Sequence, residues 1–187
     1  MPVSMIVTDL DGTLLRTDKS ISHYTLSVLD RCRDRGMMIV LATARSESAA
    51  ARYIDIFRPD AVISNGGALL TRHGQTLYSR MIPTDVTDQL IRACLARPHL
   101  GQITVETETG FYWDNRHFIH AGAYPDAISY DFREPMGQAA YKITVEVFDP
   151  AAAAALADEY DDVDMLPFTG ENWYRYAHRE AAKMDAI

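Results

Sequence analysis

Two carboxylates one residue apart, Asp9 and Asp11, close a short apolar run and are followed at once by Gly12 and Thr13. If extended geometry persists to residue 11, both acids point to the same side. Carboxylates held close repel each other, so a cation or a shared proton belongs with them. Oxygen-only ligands on a tight loop suit Mg²⁺, which keeps several waters and takes one or two carboxylates. A carboxylate is also a nucleophile in aspartyl-phosphate chemistry. The same spacing equally describes a turn that closes a strand with two solvated acids. Thr43 ends a second apolar run. A hydroxyl there could bind a phosphoryl oxygen or cap the helix that follows, and helix starts bind anions. Asn65-Gly66-Gly67 ends a third run, either beside a substrate or as a simple turn.

The elements that must position these residues follow from pattern. Met5-Ile6-Val7, Met37 to Leu41 and Ala61 to Ser64 are apolar and rich in β-branched residues, as buried parallel strands are. Between them lie helices over about His23 to Arg35, with Ser22 as cap and Gly36 at its end, and about Glu47 to Phe57 before Pro59. This β-α-β-α-β order predicts a doubly wound α/β sheet with its acids at the carboxyl edge. Leu69 to Thr71 and Thr76 to Ser79 flank a hairpin turn.

After Ile82-Pro83 the pattern changes. A helix over Thr84 to Arg97 and one over Pro150 to Tyr160 accompany strands at Gln102 to Glu108, Phe111 to Trp113, Tyr141 to Phe148, Val163 to Leu166 and Trp173 to Tyr176. Strict alternation in these strands predicts an antiparallel sheet with one wet face. Asp114-Asn115 suits a turn. Residues 1–82 and 179–187 are therefore expected to form an α/β core, and 83–178 an inserted α+β domain. Tyr112, Trp113, Phe118 and Tyr124 suit either a pocket or the core of that domain.

Composition narrows the function. The 187 residues carry a net charge of −8, which disfavours a nucleic-acid partner. It leaves room for a phosphate ligand where a few basic groups and a metal gather. No apolar run approaches the about 18 residues of a membrane span, and the N-terminal pattern leads to the expectation of no secretion signal. Cys32 and Cys94 read as free thiols in a reducing cytosol. His23, His73, His99, His117, His120 and His178 include no helical metal-binding pair.

Asp9-Leu10-Asp11-Gly12-Thr13-Leu14 after an apolar strand resembles motif I of the haloacid dehalogenase superfamily. Later stretches resemble its Cof-type branch, which carries an α/β cap. The resemblance implies a Mg²⁺-dependent phosphatase of small phosphorylated metabolites, with sugar phosphates the commonest substrates. Asp9 would be the nucleophile, Asp11 the general acid and base, and both would hold the metal. Thr43-Ala44-Arg45 resembles motif II, usually Thr-Gly-Arg, with alanine here in place of the glycine. Asn65-Gly66-Gly67 resembles the Asn-Gly-Ala/Gly turn near the substrate. Lys183, which on sequence alone reads as a solvated surface residue, would be the motif III lysine at a helix start, pairing with Asp9 and the phosphoryl group. The cap would close to exclude water and select the leaving group.

Members of that branch continue past the lysine with an acid-bearing motif that completes the metal site, and no such motif occurs within these 187 residues. The expectation is therefore a core lacking its last portion. It would leave an apolar edge beside the Asp9 strand, to be covered by another copy or by a further segment. Two other readings share the same residues: a phosphate-binding or regulatory module without hydrolysis, and a phosphomutase.

Overall fold

The computed structural model describes residues 3–114, 126–184 and 186. Asn115, His117, Phe118, His120 and Tyr124 lie outside the described residues. The chain divides into two units, Met1–Ser79 with Ala181–Ile187, and Arg80–Glu180.

In the first unit, β1 (Met5–Thr8), β2 (Met38–Ala42) and β3 (Ala61–Ser64) pair in parallel in that order. The antiparallel strands β4 (Leu69–Arg72) and β5 (Gln75–Ser79) complete the sheet. The hairpin between them turns at His73 and Gly74, with φ of 51° and 76°. Two consecutive left-handed residues match the right-handed twist of the flanking strands.

The helix α1 (His23–Arg33) is capped by Ser22, whose side chain accepts from the Thr25 N–H. The helix α2 (Glu47–Phe57) is capped by Ser46, so Thr43 is spared that role. Its residues Ala50, Tyr53, Ile54 and Phe57 recur at helical spacing and face the sheet. It stops at Arg58, whose left-handed φ of 50° precedes Pro59.

Because strand residues alternate, β2 divides between two clusters. Ile39 and Leu41 pack with Leu29 of α1 and with Tyr53 and Phe57 of α2. Val40 and Ala42 pack with Ala61, Ile63 and Ala186 on the other face, where Met5, Val7 and Met38 are only partly buried. β1 is an edge strand, and all four of its residues are half-buried.

In the second unit, β6 (Leu100–Glu106), β7 (Phe111–Trp113), β8 (Ala127–Ser129), β9 (Lys142–Val147), β10 (Val163–Pro167) and β11 (Trp173–His178) form a sheet in the order β10-β11-β9-β6-β7-β8. Helices α3 (Thr84–Leu95) and α4 (Pro150–Ala157) pack Leu90, Ile91, Cys94 and Leu156 against Ile103, Val105, Ile143 and Val145. Burial pushes the Cys94 thiol up to about 12, which leaves it inert as a nucleophile.

Two features differ from the alternating pattern. β8 pairs with β7 in parallel, so the sheet is mixed at that end. Three residues are too few to announce a strand by periodicity. The polar face is also not simply wet. Glu106 and Lys142, directly opposed across β6 and β9, are buried and paired at 3.2 Å. Opposite charges facing each other across a ladder offset the cost of burying either. Trp113 is buried too, its indole N–H donating to Gln102.

Candidate active site

The first strand ends at Thr8, and a tight turn, Leu10–Leu14, follows. Leu10 and Leu14 anchor it in the helix-side core. The Leu14 and Leu15 N–H groups donate back to the carbonyls of Asp9 and Leu10 at 3.2 and 2.9 Å. Gly12, at φ 75°, supplies the left-handed residue the turn needs. Burying the leucines leaves Asp9 and Asp11 at the surface between them, with side chains 39% and 42% exposed.

Each acid has its own cationic partners. Asp9 Oδ1 accepts from the Leu10 N–H at 2.8 Å and lies 3.0 Å from Lys183 Nζ. Asp9 Oδ2 has no partner among the described residues. Asp11 is held on both oxygens. Arg45 reaches Oδ2 through Nε at 2.8 Å and Oδ1 through Nη2 at 2.9 Å, and Lys19 Nζ reaches Oδ1 at 2.9 Å. The Arg45 guanidinium also lies 5.5 Å from the centre of the buried Tyr53 ring, which fixes it from α2. The mutual repulsion anticipated for the two acids is thus met by three side-chain cations.

Thr43 follows β2 and is buried. Its Oγ1 accepts from the Arg45 N–H at 3.1 Å, and its carbonyl accepts from the Gly66 N–H at 2.9 Å. Ala44 is half-buried between Thr43 and Arg45. The Asn65 N–H donates to the Arg45 carbonyl at 2.8 Å, so the turn after β3 is bonded to the loop after β2. Asn65 itself is 3% exposed and left-handed at φ 52°, and its Oδ1 has no hydrogen-bond partner among the described residues. Ser64 Oγ beside it is likewise buried and unpartnered. Lys183 lies in a turn.

The structure therefore gathers Asp9 with Lys183, Asp11 with Arg45, and Thr43 with Arg45 and Gly66. Lys19 and Tyr53 were not anticipated. Lys19 is a lone lysine in a polar turn at left-handed φ 61°, and no spacing connects it to Asp11. Tyr53 reads in sequence only as part of a buried helix stripe.

The Arg45 fork, opposed by partial burial and aided by Lys19, holds the Asp11 carboxyl well below the usual carboxylate range. A depressed folded-state value contributes stability that is present above the unfolded value, near 3.8, and is lost as pH falls below it. Melting midpoints followed from pH 6 downward should fall more steeply below about pH 4 for the native chain than for Asp11→Asn. Because Asp11 is nearly half exposed, solvent screening keeps this difference small. Parallel curves would show that the pair adds nothing to stability.

One point of the site has the chemistry to take Mg²⁺. Asp9 Oδ2 is a hard, partly exposed oxygen without a partner, and waters can fill the remaining positions. Asp11 can join only by releasing Arg45 and Lys19. Among the described residues no group of three His, Cys, Asp or Glu side chains is placed to hold a metal.

Comparison with known proteins gives a consistent picture. A family model of haloacid dehalogenase-like hydrolases matches residues 6–174. A 5-amino-6-(5-phospho-D-ribitylamino)uracil phosphatase of Bacillus subtilis, YitU, is 27% identical over 169 residues, covering 85% of this chain and 63% of that protein. An HMP-PP phosphatase of Shigella flexneri is 29% identical over 89 residues, covering 46% of this chain and 33% of the relative. The chain thus spans less than two thirds of the length of these relatives. Among solved structures, the subclass IIB sugar phosphatase BT4131 superposes with a TM-score of 0.82 at 15% identity, covering 99% of this chain and 74% of that one. A haloacid dehalogenase-like hydrolase from B. subtilis gives 0.81 at 17% identity, covering 98% and 76%. These likenesses establish the mixed α/β fold with its Rossmann-like core. No helix among the described residues is long and apolar enough to cross a membrane.

Proposed function

The chain belongs to the haloacid dehalogenase-like hydrolases, and from that premise we propose that it is a Mg²⁺-dependent phosphatase of small phosphomonoesters, sugar or polyol phosphates foremost. The observation that carries this reading is the state of Asp9. One of its carboxylate oxygens is tied down by Lys183 and a backbone N–H, and the other is unengaged.

In this reading one oxygen of the Asp9 carboxylate attacks phosphorus in line and the other is left to the metal. A new O–P bond forms as the bond from phosphorus to the leaving oxygen breaks. Asp11 gives the leaving oxygen its proton and then takes one from the water that cleaves the aspartyl-phosphate. One phosphomonoester and one water become one alcohol and one phosphate. As it stands, Asp11 is in the state of a base, because Arg45 and Lys19 hold it ionised. It can act as an acid once a bound phosphoryl group draws those cations off and it takes up a proton from solvent. Lys183 and the Thr43 hydroxyl would face phosphoryl oxygens, placing positive charge and a donor where charge develops. Mg²⁺ would be held by Asp9, and by Asp11 when it is free, and would supply further positive charge at a phosphoryl oxygen. The name of the ribitylamino-uracil phosphatase and the sugar-phosphatase likeness support a polyol or sugar phosphate as substrate.

The second reading, a phosphate-binding module without hydrolysis, is favoured by the fully engaged Asp11 carboxylate. Phosphate release from sugar phosphates and from p-nitrophenyl phosphate, with added Mg²⁺ and with chelator, separates the two. Release that requires Mg²⁺ and disappears in Asp9→Asn supports the phosphatase. Saturable phosphate binding without turnover supports the module.

A further inference from the structure

We infer that Gly67 is a positioning residue that seats Lys183 against Asp9, so that the turn after β3 acts as a bracket for the site in addition to any contact with substrate. The inference deepens the phosphatase reading and rests on it for its kinetic consequence only.

The turn touches the other parts of the site by backbone alone. The Asn65 N–H donates to the Arg45 carbonyl and the Gly66 N–H to the Thr43 carbonyl. Gly67 meets the segment that carries the lysine. It sits at φ 115°, a conformation that L side chains rarely adopt. A Cβ built on it would lie 2.5 Å from the Ala182 carbonyl oxygen and 2.6 Å from the Lys183 nitrogen, and closer still to the Ala182 carbonyl carbon. Such separations are far inside van der Waals contact. The atoms are backbone, so no side chain can swing away to relieve them. The chain at 182–183 therefore crosses over the place where any other residue would carry its Cβ. From there Lys183 reaches 3.0 Å from Asp9, at the end of a strand two places away in the sheet.

In this chain the left-handed φ and the overlying segment demand a glycine here. A methyl at residue 67 must lift the 182–183 backbone by about an ångström or more to restore ordinary contact. A displacement of that size is enough to cost a positioned group much of its effect.

The test uses the chain's three lysines, Lys19, Lys142 and Lys183. Reductive ¹³C-methylation keeps their charge and gives each an assignable NMR signal. With Gly67 in place, Asp9→Asn is expected to shift the Lys183 signal, because the carboxylate charge beside it disappears. In Gly67→Ala the Lys183 signal should already be displaced, and Asp9→Asn should no longer move it. An equal response to Asp9→Asn in both backgrounds overturns the inference, as does no response in either. Loss of cooperative unfolding in Gly67→Ala would assign the glycine to the fold and overturn it as well.

This readout needs no turnover, so it decides the matter even if the phosphatase reading fails. Where turnover is present, Gly67→Ala should lower kcat roughly 10²-fold, the scale of losing one charge-stabilising donor, with KM little changed. It should add nothing further in a Lys183→Ala background. Additive losses would show that the glycine acts by another route.

Discussion

Asp9→Asn is expected to abolish phosphate release while leaving the fold intact. The amide nearly matches the carboxylate in shape, and its oxygen can still accept from the Leu10 N–H and from Lys183, as Asp9 Oδ1 does. It has no unshared negative oxygen with which to form a bond to phosphorus. Removing a covalent nucleophile elsewhere costs on the order of 10⁶-fold in kcat, and a loss of that scale is the expectation here. Stability should change by less than about 1 kcal/mol, since the Lys183–Asp9 pair is about a third exposed on each side. The measurement is single-turnover phosphate release beside a thermal unfolding curve. Turnover within tenfold of the native chain, in a preparation free of other phosphatases, would remove Asp9 from its role.

The charges around Asp9 and Asp11 matter because the chain as a whole is acidic, at net −8. Lys183, Arg45 and Lys19 oppose two carboxylates, so the site keeps one positive charge in excess against that background. In the phosphatase reading, a phosphate dianion arriving there would compete with Asp11 for Arg45 and Lys19. That competition would link substrate binding to the freedom of Asp11.

Much of this arrangement was legible in the sequence. The apolar runs before Asp9, Thr43 and Asn65 announced three parallel strands, and Glu47–Phe57 formed the helix its apolar spacing required. Periodicity works for such elements because burial imposes it on each of them separately. It is silent where the decisive contact joins two loops. Nothing in the spacing of Lys19 or Tyr53 connects them with Asp11 or Arg45. The need for glycine at 67 exists only once residues 182–183 lie across it. Thr43 illustrates the reverse case. Its place suited a helix cap, but Ser46, immediately before the helix, took that role and left Thr43 with the loop. The buried Glu106–Lys142 pair was missed for a related reason. Alternation tells which side chains are apolar, and not what covers the polar ones.

Asp11→Asn is expected to slow turnover by roughly 10² to 10⁴-fold, the range for losing general acid–base help. The size should depend on the leaving group. An alkyl phosphate expels a poor alkoxide that needs a proton as the bond breaks, and a nitrophenyl phosphate expels a stable phenolate that needs almost none. The loss should therefore be large for sugar phosphates and much smaller for p-nitrophenyl phosphate in the first step. The geometry adds a second expectation. Asparagine cannot hold Arg45 and Lys19 as the carboxylate does through its two oxygens, so both cations are freed toward an incoming phosphate. KM for phosphomonoesters should fall while kcat collapses, the pattern of a variant that binds its substrate better than it turns it over. Steady-state kinetics with both substrate types reads the two effects together. Equal losses in kcat for alkyl and nitrophenyl phosphates would mean that Asp11 acts chiefly by holding the metal. An unchanged KM would mean that Arg45 and Lys19 are not in competition between Asp11 and the phosphate.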